Sequence, residues 1–140
     1  MSVKTIDQQH RATFEGIRHV DENGSEFWLA RPLAKVLDYS EYRHFLPVVE
    51  RAREACRNSG HLVSDHFEDI LEMVEIGSGA RRELPDVRLS RYACYLIVQN
   101  ADPNKPVIAN GQTYFAIQTR RQELADDGLG GGAHDDGLLQ

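Results

Sequence analysis

The sequence predicts a mixed α/β (α+β) domain with two β-hairpins and three to four main helices. Three observations carry this prediction. An Asn23-Gly24 step separates two segments that hold apolar and aromatic residues, a strong short-range hairpin signal. Phe45, Val48, Val49, Ala52, Ala55 and Cys56 repeat with the 3.6-residue period of an amphipathic helix. Ser90 precedes RYACYLIVQNA, a run apolar nearly all round, as a helix buried in a core or an interface is.

In chain order, residues 1–13 have weak periodicity and read as an irregular lead-in. FEGIRHVDENGSEFWLA reads as the first hairpin, with Phe14 and Val20 on one face of its first arm and Ile17 on the other. Pro32 suits the first turn of a short helix faced by Leu33, Val36 and Leu37. Ser40 is positioned to cap a second helix, with Glu41 in its first turn. On that helix Glu50 and Arg53, and Glu54 and Arg57, stand at i,i+3, and Asn58-Ser59-Gly60 stops it. A short helix, a tight link and a longer helix give a helix-turn-helix-like outline.

Ser64 caps a short turn that includes Phe67, and Ile70 to Ile76 alternates as a strand. Gly77-Ser78-Gly79 begins a tip, and Val87-Arg88-Leu89 ends the return arm, with Pro85 marking an edge or an irregularity. The stretch SGARRE, residues 78–83, therefore sits at an exposed hairpin tip. Ser90 caps the next helix, Asp102-Pro103 stops it, and Pro106 begins the last. Gly111 either allows close packing there or breaks the helix. The domain spans residues 14–125, and the Gly/Asp-rich residues 126–140 form a disordered tail.

The 140 residues suffice for one domain with a core. No apolar run reaches the roughly 18 residues of a membrane span, and the N-terminal residues lack a signal-peptide core. The reading is cytoplasmic, with no membrane contact. Two cysteines, Cys56 and Cys94, have apolar neighbours and are expected as reduced, buried thiols. Neither metal nor cofactor is expected. Cys56, His61 and His66 lack a fourth ligand at a standard offset. Gly77-Ser78-Gly79 is no phosphate-binding P-loop. The acidic group Asp65, Glu68, Asp69, Glu72 and Glu75 shows no convergent set, so no enzyme is expected.

The net charge of −6 excludes a strongly basic nucleic-acid wrapper. Four of the aspartates lie in residues 126–140, which leaves the remainder near −2. Sixteen basic residues include only three lysines, Lys4, Lys35 and Lys105. Arginine presents a rigid donor fork suited to phosphate. Arg81 and Arg82 in SGARRE are the first candidates for phosphate contact, followed by Arg43, Arg53, Arg57 and Arg88. Ordinary surface ion pairing is the competing reading for all six. Tyr92, Tyr95, Leu96, Ile97 and Phe115 are the candidate homodimer interface, unless the hairpins cover that helix completely.

The run WLARPLAKVLDYSEYRHFLPVVERAREACRNSG, then DHFEDILEMVEIGSGARRELPDVRLSRYACYLIVQNADP and GQTYFAIQTRRQEL, resembles the N-terminal part of the DNA-damage-inducible protein D family. That part looks like a Bro-N domain, found also in baculovirus repeated-ORF proteins and phage antirepressor-like proteins. The resemblance covers residues 14–125. It implies an α/β domain with DNA-binding associations, induction in the bacterial SOS response, and an effect on recombinational repair through the strand-exchange recombinase. It implies no defined catalytic activity. Family members usually continue past RRQEL into a second, helical and charged region. The expected function is a DNA-binding or regulatory module, with single- or double-stranded DNA as partner. The alternative is a protein-interaction module that modulates a repair, recombination or phage regulatory protein without binding DNA.

Overall fold

The computed structural model of the protein describes residues 13–130. Four strands form one antiparallel sheet: β1 (His19–Val20), β2 (Glu26–Leu29), β3 (Phe67–Glu75) and β4 (Arg81–Leu89), in the order β1-β2-β4-β3. Besides a helical turn at residues 13–16, four helices lie among the described residues: α1 (Ala30–Val36), α2 (Tyr42–Asn58), α3 (Arg91–Gln99) and α4 (Pro106–Gly130). A 3-10 turn covers Val63–Asp65. This is the mixed α/β architecture expected from the periodicities.

The first hairpin is shorter than its sequence suggests. Residues 13–16 are helical, not strand, and pairing begins only at His19, opposite Phe27. Phe14 therefore reaches the core from a helical turn. Its ring stacks on Trp28 at 4.5 Å, and its carbonyl accepts the indole N–H of Trp28 at 2.9 Å. An aromatic contact and a satisfied buried carbonyl outweigh the loose alternation of the segment. The turn itself is as read, with Gly24 at φ +83° and the Asp21 carboxylate accepting the N–H groups of Asn23 and Ser25.

Chain capping follows sequence chemistry in part. The second helix begins after Glu41, which makes no side-chain cap, so Ser40 lies outside the cap position. Ser90 caps α3 as read, its Oγ accepting the N–H of Ala93 at 3.0 Å. The stripe Phe45, Val48, Val49, Ala52 and Cys56 is buried, and α2 packs against α3. Asn110-Gly111 does not break α4, where Gly111 is buried. The helix runs to Gly130, five residues past Ala125, where the tail was expected to begin. Residues 1–12, the lead-in, and 131–140, the rest of that tail, lie outside the described residues. Cys56 and Cys94 are free and buried, and burial pushes both thiols up, Cys94 well above its ordinary value.

The β3–β4 hairpin is twice as long as the core needs. Phe67, Val87 and Leu89 at its root are buried with Trp28 and Ile97. From Leu71 and Pro85 outward the strands leave the body, and no residue of either strand is buried there. The strand starts at Phe67 rather than Ile70, so the ladder is longer at the root than its alternation shows. The turn is Gly77 to Ala80, with Gly77 at φ +79° and Gly79 at φ +81°. Glycine occupies that left-handed region without a Cβ penalty. Arg81 and Arg82 are the first two residues of β4, adjoining the turn rather than within it.

Pro85 explains how β4 is read by its neighbours. It lies opposite Leu71. Proline has no N–H, so this pair cannot exchange hydrogen bonds, and the bonded pairs are the even-numbered residues of β3. The flanking bonds agree: Ser90 N–H donates to His66 O at 3.0 Å, and Ile76 N–H to Ala80 O at 2.9 Å. The carbonyl of Pro85 turns the other way and accepts Arg31 Nε at 2.7 Å.

Candidate nucleic-acid interface

The outer β3–β4 arm extends about 20 Å from Ile70 to Ile76, at about 3.4 Å per residue. At its far end Arg81 lies opposite Glu75 and Arg82 opposite Val74. Both arginines are exposed. Among the described residues neither forms an ion pair.

The other candidate arginines are engaged. Arg53 is largely covered; its Nη2 meets Asp69 at 2.8 Å, and its Nε lies 3.2 Å from Glu50 in an ion pair too bent for a hydrogen bond. It fastens α2 to the root of β3 and covers the ring of Phe67. Arg88 lies 3.9 Å over the Phe27 ring and bridges Asp21 and Glu68. Arg43 pairs with Glu41 at 2.7 Å, and Arg57 with Glu54, both on the exposed side of α2. The paired glutamates predicted at i,i+3 are therefore present. They also offset positive charge that a recognition helix would offer to phosphate. The structure does not gather the six arginines into one patch.

Two other constellations carry charge. Arg91 joins Glu26 at 2.9 Å and Glu15 at 3.1 Å, and Glu15 also accepts the hydroxyl of Tyr114 at 3.0 Å. The Arg91 guanidinium holds the Glu26 carboxyl below its ordinary range. Asp86 is 5% exposed and accepts the backbone N–H of Arg31 at 3.1 Å and of Val87 at 2.8 Å. It thus caps α1 from a neighbouring strand, because Leu29 at the cap position has no side-chain acceptor. Burial pushes the Asp86 carboxyl up. Beside it, burial and then the Asp86 charge push the Tyr42 phenol up to about 12, with the Arg31 guanidinium 4.1 Å from the ring centroid. Sequence reasoning missed Asp86 as a cap, since its partner helix is 55 residues away.

Of the expected interface residues, Leu96, Ile97 and Phe115 are buried within the chain's own core, while Tyr92 and Tyr95 are half-buried. The two tyrosines line an open groove of about 930 Å³ between α3 and α4, with Arg91 and Glu15 at one end and Gln118 and Glu123 along the helix. Tyr92 also packs on His61 and His66, and the His66 Nδ1 lies 2.7 Å from Ser90 Oγ. No cluster of metal-ligating side chains occurs among the described residues, and none of their helices is long and apolar enough to cross a membrane.

A sheet with a projecting two-stranded arm, flanked by a helix-turn-helix-like pair, defines a mixed α/β module of a known class: residues 16–116 match the N-terminal domain of the BRO family, and the chain belongs to that family. It is 68% identical over 119 residues to DNA damage-inducible protein D of Escherichia coli (strain K12). That match covers 85% of this chain and 43% of the relative, so the chain spans less than half of the relative's length. Comparison with solved structures finds no match.

Proposed function

We propose that the chain is a non-enzymatic DNA-binding or regulatory module associated with the bacterial DNA-damage response, contacting the phosphate backbone through arginines. The observation that carries this reading is the placement of Arg81 and Arg82. They are exposed at the end of a projecting arm, next to a glycine-flanked turn, and unpaired among the described residues. Two open donor forks on a narrow arm suit phosphate. The family membership and the relative's name support the DNA-damage setting. Arg43 and Arg57, exposed on α2, are the next contacts. Arg53 and Arg88 serve chiefly to hold the arm's root.

Fluorescence anisotropy against single- and double-stranded DNA at two salt concentrations tests this. Replacing Arg81 and Arg82 together by alanine is expected to leave folding intact, because exposed charges of this kind contribute only about 0–1 kcal/mol. The slope of log affinity against log salt should fall by roughly two units, equally for all DNA sequences. An unchanged slope in the folded double variant makes the pair a charged turn and nothing more.

A second reading has one observation in its favour. The outer arm carries Glu72, Glu75 and Glu83 against two arginines, so its sides repel phosphate. On this reading the chain is a protein-interaction module acting on a recombination, repair or phage regulatory protein, and no DNA binding is detected even at low salt. In both readings the protein is placed in the cytoplasm, which its two buried, unpaired cysteines support. In both it is a homodimer formed through Tyr92 and Tyr95 with the buried Leu96, Ile97 and Phe115 behind them. Sedimentation at high micromolar concentration should show the dimer; monomer alone removes it.

A further inference from the structure

Among the described residues no strand pairs with the outer edge of β3. β3 is the outermost strand of the sheet. Since the pair Leu71–Pro85 is of the non-bonded kind, the N–H and C=O groups of Asp69, Leu71, Met73 and Glu75 all point away from β4. Four donors and four acceptors thus stand in a row along the exposed arm, an open template for strand pairing. Leu71 and Met73, which share one face, are 63% and 48% exposed. A strand added along this edge would cover both side chains.

The charges decide what can fill this edge. Glu68, Asp69, Glu72 and Glu75 lie along β3, and no basic residue does. Arg88 and Arg53 already meet Glu68 and Asp69 at the root, which leaves Glu72 and Glu75, on opposite faces of the strand, without an ion pair among the described residues. A second copy would bring an equally acidic strand alongside, and like charges oppose that pairing. Phosphate is excluded from the edge for the same reason. We propose that the β3 edge docks an extended basic segment of a partner protein, added antiparallel as a further strand. Backbone hydrogen bonds to Leu71 and Met73 hold it, apolar residues of the segment lie opposite those two side chains, and Lys or Arg lies opposite Glu72 and Glu75. This inference stands apart from phosphate contact by Arg81 and Arg82, which lie on β4, so either can fail without the other.

A labelled peptide, Thr-Lys-Thr-Val-Lys-Val-Thr-Thr, places its lysines opposite Glu75 and Glu72 and its valines opposite Met73 and Leu71. Titrated with the full chain at low salt, it should bind saturably. A glutamate-for-lysine counterpart should not bind, and N-methylation of the backbone groups that face β3 should abolish binding. Met73→Pro removes an outward N–H without touching the ladder to β4, as Pro85 does on the other strand, and should weaken the peptide. The double variant Glu72→Lys, Glu75→Lys tests charge on the part of the arm where no residue is buried: its preference should reverse toward the glutamate peptide, each affinity changing by about tenfold. No binding of the lysine peptide at millimolar concentration, binding indifferent to N-methylation, or dimers that Met73→Pro dissolves would each overturn the proposal.

Discussion

Trp28→Ala is expected to destabilise the protein by about 3–5 kcal/mol, the range for removing a large buried aromatic. Trp28 is fully buried, and no other tryptophan is present. Its ring is the common surface for Phe14, stacked at 4.5 Å, and for the Arg91 guanidinium, 5.0 Å from its centroid. Its N–H is the donor to the Phe14 carbonyl. Alanine leaves a cavity, takes the stacked ring from Phe14 and removes the indole donor from a carbonyl that otherwise accepts the Ile17 N–H at 3.3 Å. Small domains have only about 5–15 kcal/mol in hand, so the loss is a large share of the total. Urea unfolding followed by circular dichroism measures it, since the variant has no indole fluorescence. Trp28→Phe separates the terms: it restores most of the packing but not the hydrogen bond, and should recover more than half of the loss. A loss below about 1 kcal/mol in Trp28→Ala would mean that Phe14 and its turn do not depend on this contact.

Asp86→Ala is expected to cost about 2–3 kcal/mol, because two backbone N–H groups lose their acceptor in a buried place. Asp86→Asn keeps an acceptor oxygen there and should recover most of that loss. The pH dependence follows from the raised carboxyl. A carboxyl raised in the fold binds its proton more tightly there than in the unfolded chain. Its stabilising share is complete below the unfolded value, near 3.8, and is lost as pH rises through the folded value. The gap between wild type and Asp86→Ala should therefore be widest in acid and narrow toward neutral pH. Denaturant unfolding at several pH values measures it. In Asp86→Asn the Tyr42 phenol should also titrate lower, because the carboxylate that helps raise it is gone. A gap that widens on raising the pH would show that the hydrogen bonds to the ionised carboxylate outweigh its burial.

These two residues mark where local signals stop. Helix α2 was legible because its five buried side chains repeat within one periodic stripe, and each lies a turn or so from the next. Helix α3 was legible for a similar reason, with Ser90 and the apolar run after it adjacent in sequence. The second hairpin was legible through Gly77, Gly79 and the alternation on β3. The first arm of the first hairpin was not, because Phe14 owes its place to Trp28 and not to its neighbours. The cap of α1 was invisible because the side chain at its own cap position is leucine, and the acceptor comes from β4.

The sequence by itself determined the helical stripes, the glycine turns, the buried reduced cysteines and an arginine-bearing arm, since each depends on residues within a few positions of one another. Only the tertiary structure decided which arginines are engaged and which backbone edge stays open. Arg91 meets Glu15 across 76 residues and Arg88 meets Asp21 across 67, so no local pattern could distinguish them from Arg81 and Arg82. The open edge of β3 has the same cause: strand order is set by β2 pairing with β4 across the sheet, and that choice leaves β3 with one neighbour among the described residues.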